Sequence, residues 1–110
     1  MITQADAERA VDWLRDNATR MAQERAERLY LEQYIKTVKA TIQTEQEGVS
    51  VAAAEIVALA SPRYLAVLVA YREAIKADET NRFLIVAAEA KIDAWRSQES
   101  TRRAEGRATT

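Results

Sequence analysis

The chain has 110 residues, of which 48% are hydrophobic and 30% charged, and its net charge is −1. This apolar fraction argues against a disordered chain, and the near-neutral charge gives no long-range attraction to nucleic acids or anionic membranes. Histidine and cysteine are absent, which excludes the commonest general base, thiolate nucleophiles, thiolate metal sites and disulfides.

The composition predicts a single all-α domain over residues 1–110. Two glycines and one proline are too few turn residues for an all-β chain of this length. Ala, Glu, Arg and Gln, which are good helix formers, are abundant instead. We expect a long antiparallel helical hairpin, similar to a coiled coil, with a short connecting helix.

The first helix is predicted over about residues 3–46. Thr3 and Asp6 have the spacing of a capping box, in which each residue caps the backbone of the other. Gly48 is expected to end the helix in the left-handed conformation. Apolar residues recur between these signals at helical spacing: Ala7, Val11, Leu14, Ala18, Met21, Leu31, Ile35, Val38 and Ile42.

Two further helices complete the prediction. Ser50 is a suitable N-cap for an apolar connecting helix over about residues 50–60. Ser61 followed by Pro62 is typical of a helix start and opens a third helix over about residues 62–102. Residues 104–110 are predicted to form a flexible tail.

The third helix carries a seam with alternating steps of four and three residues. Its members are Val67, Tyr71, Ala74, Asp78, Asn81, Ile85, Ala88, Ile92 and Trp95. This spacing is typical of a helix that packs along one partner. Only the middle of the seam is polar.

The stripe of the first helix has a matching polar break at Arg25 and Arg28. If the hairpin aligns its two long helices, Arg28 faces Asp78 and Arg25 faces Asn81. We predict that these four residues form two polar contacts between the helices, and that the contacts set the register of the hairpin. A slipped register would bury an unpaired charge.

The alternative is that all four side chains point to solvent. In that case Glu24 pairs with Arg28 and Arg82 pairs with Asp78, each within its own helix. The sequence leaves both arrangements open.

The third helix is apolar on more of its circumference than one partner can cover. Leu65, Val69, Phe83 and Val86 lie outside the seam. Such a helix needs more than one neighbour. We therefore predict a homo-oligomer in which hairpins assemble into a multi-helix bundle, with these four residues as the self-association surface.

The sequence offers little for catalysis. No Gly-rich phosphate loop is present, and the one inward acid, Asp78, has an arginine as candidate partner. We expect no enzyme activity, no cofactor and no metal. Arg96, Arg102 and Arg103 beside Trp95 could contact nucleic acid by stacking and charge. They are better explained as complements of the helix dipole, with Trp95 completing the seam.

Part of the chain resembles small helical proteins encoded by bacteriophages and prophages. The resemblance rests on Ser61-Pro62 before Tyr64, the acid-rich stretch before Arg82, and the closing Ile92, Trp95-Arg96 and Arg102-Arg103. It covers less than half of the chain and implies no catalytic residues. It implies a phage accessory protein of uncharacterised function, expressed alongside recombination or replication functions.

Three functional hypotheses follow. The first is a self-associating helical scaffold or adaptor that acts through contacts with an unidentified protein partner. The second is an accessory factor of phage DNA recombination or replication with weak single-stranded DNA contact. The third is a phage inhibitor of a host protein. No apolar run is long enough to span a membrane, and the start MITQADAERA lacks the pattern of a signal peptide, so we expect no membrane partner and a cytoplasmic location.

Overall fold

The computed structural model describes residues 1–108 and is all-α. Three helices follow one another: α1 at Gln4–Thr44, α2 at Val51–Ala60 and α3 at Pro62–Ala108. No strand is present in these residues. The predicted fold class, a pair of long antiparallel helices with a short connecting helix, is confirmed.

The start of α1 is the predicted capping box. The Thr3 backbone N–H donates to Asp6 Oδ2 at 2.9 Å, and the Asp6 backbone N–H donates to Thr3 Oγ1 at 3.1 Å. Two donors that no helical carbonyl can reach are thereby satisfied. The Arg9 guanidinium also contacts the Asp6 carboxylate.

The end of α1 differs slightly from the prediction. The helix stops at Thr44, and the Glu45 N–H bonds to both Thr41 O and Ile42 O, which tightens the last turn. Gly48 does have a positive φ of 72°, but it lies in the connection after the helix. It therefore lies in a bend of the connection and does not cap α1.

The caps around α2 follow the sequence closely. Ser50 is its N-cap and accepts from the Ala53 N–H at 3.1 Å. Ser61 is extended, its N–H donates to Ala58 O, and its own carbonyl accepts from the Leu65 N–H. The single residue Ser61 thus closes α2 and opens α3.

The predicted tail over residues 104–110 is wrong for the part that the structure describes. Helix α3 continues through Gly106 to Ala108, six residues beyond the predicted end near 102. Glycine disfavours a helix interior by only about 1 kcal/mol, and the surrounding Ala, Arg and Glu are strong helix formers. Thr109 and Thr110 lie outside the described residues.

The helices pack into two compact units. Unit 1 pairs Met1–Met21 with the chain from Thr80 onward, and unit 2 comprises Ala22–Glu79. In unit 1 the start of the chain contacts α3, since the Ile2 N–H donates to Gln98 Oε1 and Gln98 Nε2 donates to Ile2 O at 2.6 Å. In unit 2, α2 lies on its own chain, with Lys39 Nζ 2.9 Å from Glu55 Oε1 and Ala58 fully buried.

The seam of α3 is as predicted, and the stripe of α1 is partly wrong. All nine predicted α3 residues are buried or half-buried. On α1, the predicted Val11, Ala18 and Arg25 are exposed. Their places are taken by the residue just before each: Ala10, Asn17 and Glu24. From Ala7 onward, the buried positions of α1 are therefore spaced by three and then four residues. The prediction had four and then three, which is the same heptad spacing with a different starting step.

Candidate interaction surfaces

The predicted contact between Arg28 and Asp78 is present in unit 2. Arg28 Nη1 lies 3.1 Å from Asp78 Oδ2 and 3.0 Å from Glu79 Oε1. One guanidinium thus joins two adjacent carboxylates of α3. The hydrogen bond to Glu79, together with that to Asp78, raises the Arg28 pKa above its ordinary value against the opposing effect of desolvation. Of the two arrangements that the sequence left open, the contact between helices is the one observed; its role in setting register stays a prediction.

The predicted partner of Asn81 is wrong. Asn81 is buried in unit 1, and its Oδ1 accepts from Arg20 Nη1 at 3.3 Å. Arg20 also donates to Asn17 Oδ1 at 3.3 Å, and Asn17 Nδ2 donates to the Trp13 carbonyl at 2.9 Å. The expected residue, Arg25, is exposed, because the stripe of α1 runs through Glu24.

Asn81 also keeps one unsatisfied donor. Its Nδ2 is buried and has no hydrogen-bond partner within residues 1–108. A buried donor without a partner destabilises by roughly 1–3 kcal/mol. The polar interruption of the seam in unit 1 is therefore only partly compensated.

Unit 1 carries an open groove beside its seam. The groove encloses about 550 Å³. Its walls come from both helices: Ile2, Asp6, Arg9, Ala10, Trp13, Leu84, Ala87, Ala88 and Lys91. The alanines leave the groove shallow. Half-buried Trp13 provides its largest apolar surface.

The four residues predicted for self-association are all exposed. Phe83, on α3 in unit 1, is 62% exposed, and the Arg82 guanidinium lies 4.5 Å from the centre of its ring. Val86 is also exposed in unit 1, as are Leu65 and Val69 in unit 2. Each side chain is therefore accessible to a partner, while its role in self-association stays a prediction.

The sequence predicted that the connecting helix, α2 in unit 2, is apolar, but it did not reveal which of its sides is exposed. This helix turns Ala54 and Ala58 inward. It turns its larger side chains outward: Val51, Ile56, Val57 and Leu59. Because nine of its ten residues are apolar, periodicity could not identify the buried side; the spacing of Ala54 and Ala58 by four was the only signal.

The arginines proposed for nucleic-acid contact have acidic neighbours. Arg102 pairs with Glu99 at 2.6 Å, and Arg96 lies 3.7 Å from Asp93. The Arg103 Nε donates to the Glu99 carbonyl at 3.4 Å. These contacts within α3 lower the positive potential that a phosphate backbone would meet.

Among residues 1–108, no group of three or more acidic side chains could hold a metal ion. Within the same residues, no single helix has the length and apolarity to cross a bilayer; α2 and α3 meet that criterion only as a pair, across a 57° bend. Comparisons with protein families, with curated proteins and with solved structures found no match. The phage resemblance, the absence of activity and the cytoplasmic location stay predictions.

Proposed function

We propose that this protein is a non-enzymatic, self-associating helical scaffold or adaptor that acts through protein–protein contacts. One observation carries the proposal. The apolar residues that are most fully buried in the described chain are mostly alanines, and the larger apolar residues of the α3 seam are only half-buried, whereas other large apolar side chains on all three helices are exposed.

The distribution of exposed apolar side chains on α2 is what makes this observation informative. Scattered exposed apolar residues are normal on soluble proteins, but a contiguous apolar surface usually marks an interaction site. Here α2 exposes four large apolar side chains within ten residues and buries only two alanines. A helix that served only its own hairpin would gain more by burying the larger side chains.

The polar groups support a structural role. The pKa of Asp6 is lowered chiefly by the hydrogen bond from the Thr3 backbone, within the capping box. The pKa of Arg15 is raised by its hydrogen bond to Asp16, on the surface of α1. Both shifts, like that of Arg28, come from caps and ion pairs: Asp6 lies at the open groove of unit 1, but its lowered pKa is caused by the capping box and not by the groove.

Self-association is tested by sedimentation velocity or by light scattering coupled to size-exclusion chromatography, over protein concentrations from about 1 to 100 µM, a range in which weak and moderate dimers dissociate. We expect the mass to rise from one chain to a multiple of it. A single-chain mass throughout this range would refute the proposal.

Single-stranded DNA contact is the second candidate, and one observation favours it. Arg103 and Arg107 line a common open groove with Ser100 near the end of α3. Binding through these side chains should weaken with salt and should fall when Arg103 and Arg107 are replaced by alanine. An oligonucleotide that shows no anisotropy change at low salt would exclude this function.

A further inference from the structure

We infer that the outward face of α2 is a self-complementary docking surface for the α2 helix of a second copy of this chain. The inference rests on the proposed self-association and assigns it to one element. It differs from the sequence prediction, which placed self-association on α3 alone.

The first argument is the composition of the outward face. At 3.6 residues per turn, Ala52, Ile56, Leu59 and Ala60 lie within an arc of roughly 100° on the side opposite Ala54 and Ala58. All four are exposed, Ile56 by 68%. Two alanines beside two large side chains give a surface of low ridges and deep hollows. A second copy of the same helix has the matching shape and can pack against it closely.

The second argument is the exposed apolar surface around this face. Val51 and Val57 flank it on either side of α2 and are 83% and 43% exposed. Leu65 and Leu68, in the first turns of α3, are also exposed. A second copy that packs on the face can therefore cover apolar side chains at its edges as well as those of the face itself.

The third argument is charge. A two-fold contact places each surface against itself, so any net charge on it is repulsive. Apart from Glu47, in the connection before α2, the charged side chains flanking α2 are neutralised by ion pairs within the chain. Lys39 pairs with Glu55 at 2.9 Å, and Arg63 pairs with Glu45 at 2.6 Å.

The same pairing disfavours the other apolar partner, a lipid surface. Helices that lie on membranes usually combine an apolar face with flanking Lys, Arg or Trp side chains that reach the headgroups. Here each flanking cation is held by a carboxylate, and both tryptophans lie outside unit 2. A second copy of the chain therefore fits this face better than a bilayer.

The test compares two double variants of the full chain. Ile56→Ser with Leu59→Ser alters the α2 face, and Phe83→Ser with Val86→Ser makes a matched change on exposed apolar residues of unit 1. We expect the α2 variant to raise the dimer dissociation constant at least tenfold in sedimentation equilibrium, and the unit 1 variant to change it less than threefold. Far-UV circular dichroism should show unchanged helicity in both, since all four residues are exposed.

A second measurement traps the contact covalently and so detects it even when association is weak. The chain has no cysteine, so a single Ile56→Cys variant reports on its own symmetric contact. Mild oxidation should give a disulfide-linked dimer at low micromolar concentration, because residues near a two-fold axis face their own copies. An Ala90→Cys variant, exposed on α3, should remain mostly unlinked.

The outcomes separate this inference from the proposed function. If the wild type is a monomer at every concentration, both fail. If it associates but only the unit 1 variant dissociates it, the docking surface is wrong and self-association stands. Flotation with phosphatidylcholine vesicles covers the remaining case: vesicle binding that the α2 variant abolishes would replace the second copy with a lipid surface and overturn the inference.

Discussion

Two isoleucines in unit 2 allow the same substitution to be made in opposite environments. Ile42, on α1, is 3% exposed, whereas Ile56, on α2, is 68% exposed. Replacing Ile42 with alanine removes three buried carbons at about 0.8 kcal/mol each and leaves a small cavity. We expect the free energy of unfolding to fall by about 3 kcal/mol. The same change at Ile56 removes a side chain of which about a third is buried, and we expect a loss below about 1 kcal/mol.

The two variants should be compared by urea unfolding, followed by circular dichroism at a protein concentration where the wild type is a single chain. An unchanged dependence of free energy on urea would show that the variants differ in stability and not in compactness. Equal losses at the two positions would refute the assigned packing of α2. A larger loss at Ile56 than at Ile42 would mean that α2 turns its other side toward the hairpin.

Three further comparisons test local features. The hydrogen bonds of the cap hold the Asp6 pKa below its ordinary 3.8. The stabilisation by the Asp6 carboxylate is therefore present above pH 3.8 and disappears as the pH falls through the lowered pKa. Asp6→Asn should reduce the difference in the free energy of unfolding between pH 6 and pH 3, and an unchanged difference would contradict the cap. Gly48→Ala should destabilise the protein by about 1 kcal/mol, because φ is 72° at that position. Gly106→Ala, within α3, should stabilise it by about 0.5–1 kcal/mol. Thermal unfolding measures both changes, and effects of the same sign would contradict the two backbone conformations. Arg28→Met should destabilise clearly more than Arg25→Met at neutral pH, because it leaves two carboxylates without their shared cation; equal effects in urea unfolding would contradict the ion pair.

The starts of the helices were predictable because they depend on chemistry within a few residues. Thr3 and Asp6, Ser50, and Ser61 before Pro62 each satisfy backbone groups close to themselves. Nothing distant competes for these groups, so a local sequence signal is sufficient. The end of α3 was predicted too early, because a single glycine, Gly106, does not end a helix when strong helix formers surround it.

The stripe of α1 was harder to predict, because its phase depends on what the partner helix offers. Val11 is more hydrophobic than Ala10, and a sequence pattern favours it for the buried side. The partner seam in unit 1 contains Ala88, and small side chains on both helices allow close approach. Ala10 suits that close approach, and Val11 remains exposed beside the seam. The partner of Asn81 changed with the phase, from Arg25 to Arg20.

The orientation of α2 could not be read from its sequence, and it is this orientation that carries the proposed function. Hydrophobic periodicity needs a contrast between polar and apolar positions, and α2 has a single charged residue, Glu55. Its direction is set by contacts from other parts of the chain, namely the Lys39 ion pair and the close packing around Ala58.

The alanine-rich packing also connects stability with association. Burial of an alanine contributes little hydrophobic free energy compared with burial of leucine or isoleucine. A single copy whose most buried residues are mainly alanines leaves much of its apolar side-chain surface exposed to water. If α2 is covered by a second copy as proposed, the contact adds stability as well as affinity, and the two become linked through protein concentration. The free energy of unfolding should then be lowest in dilute solution and should rise with protein concentration.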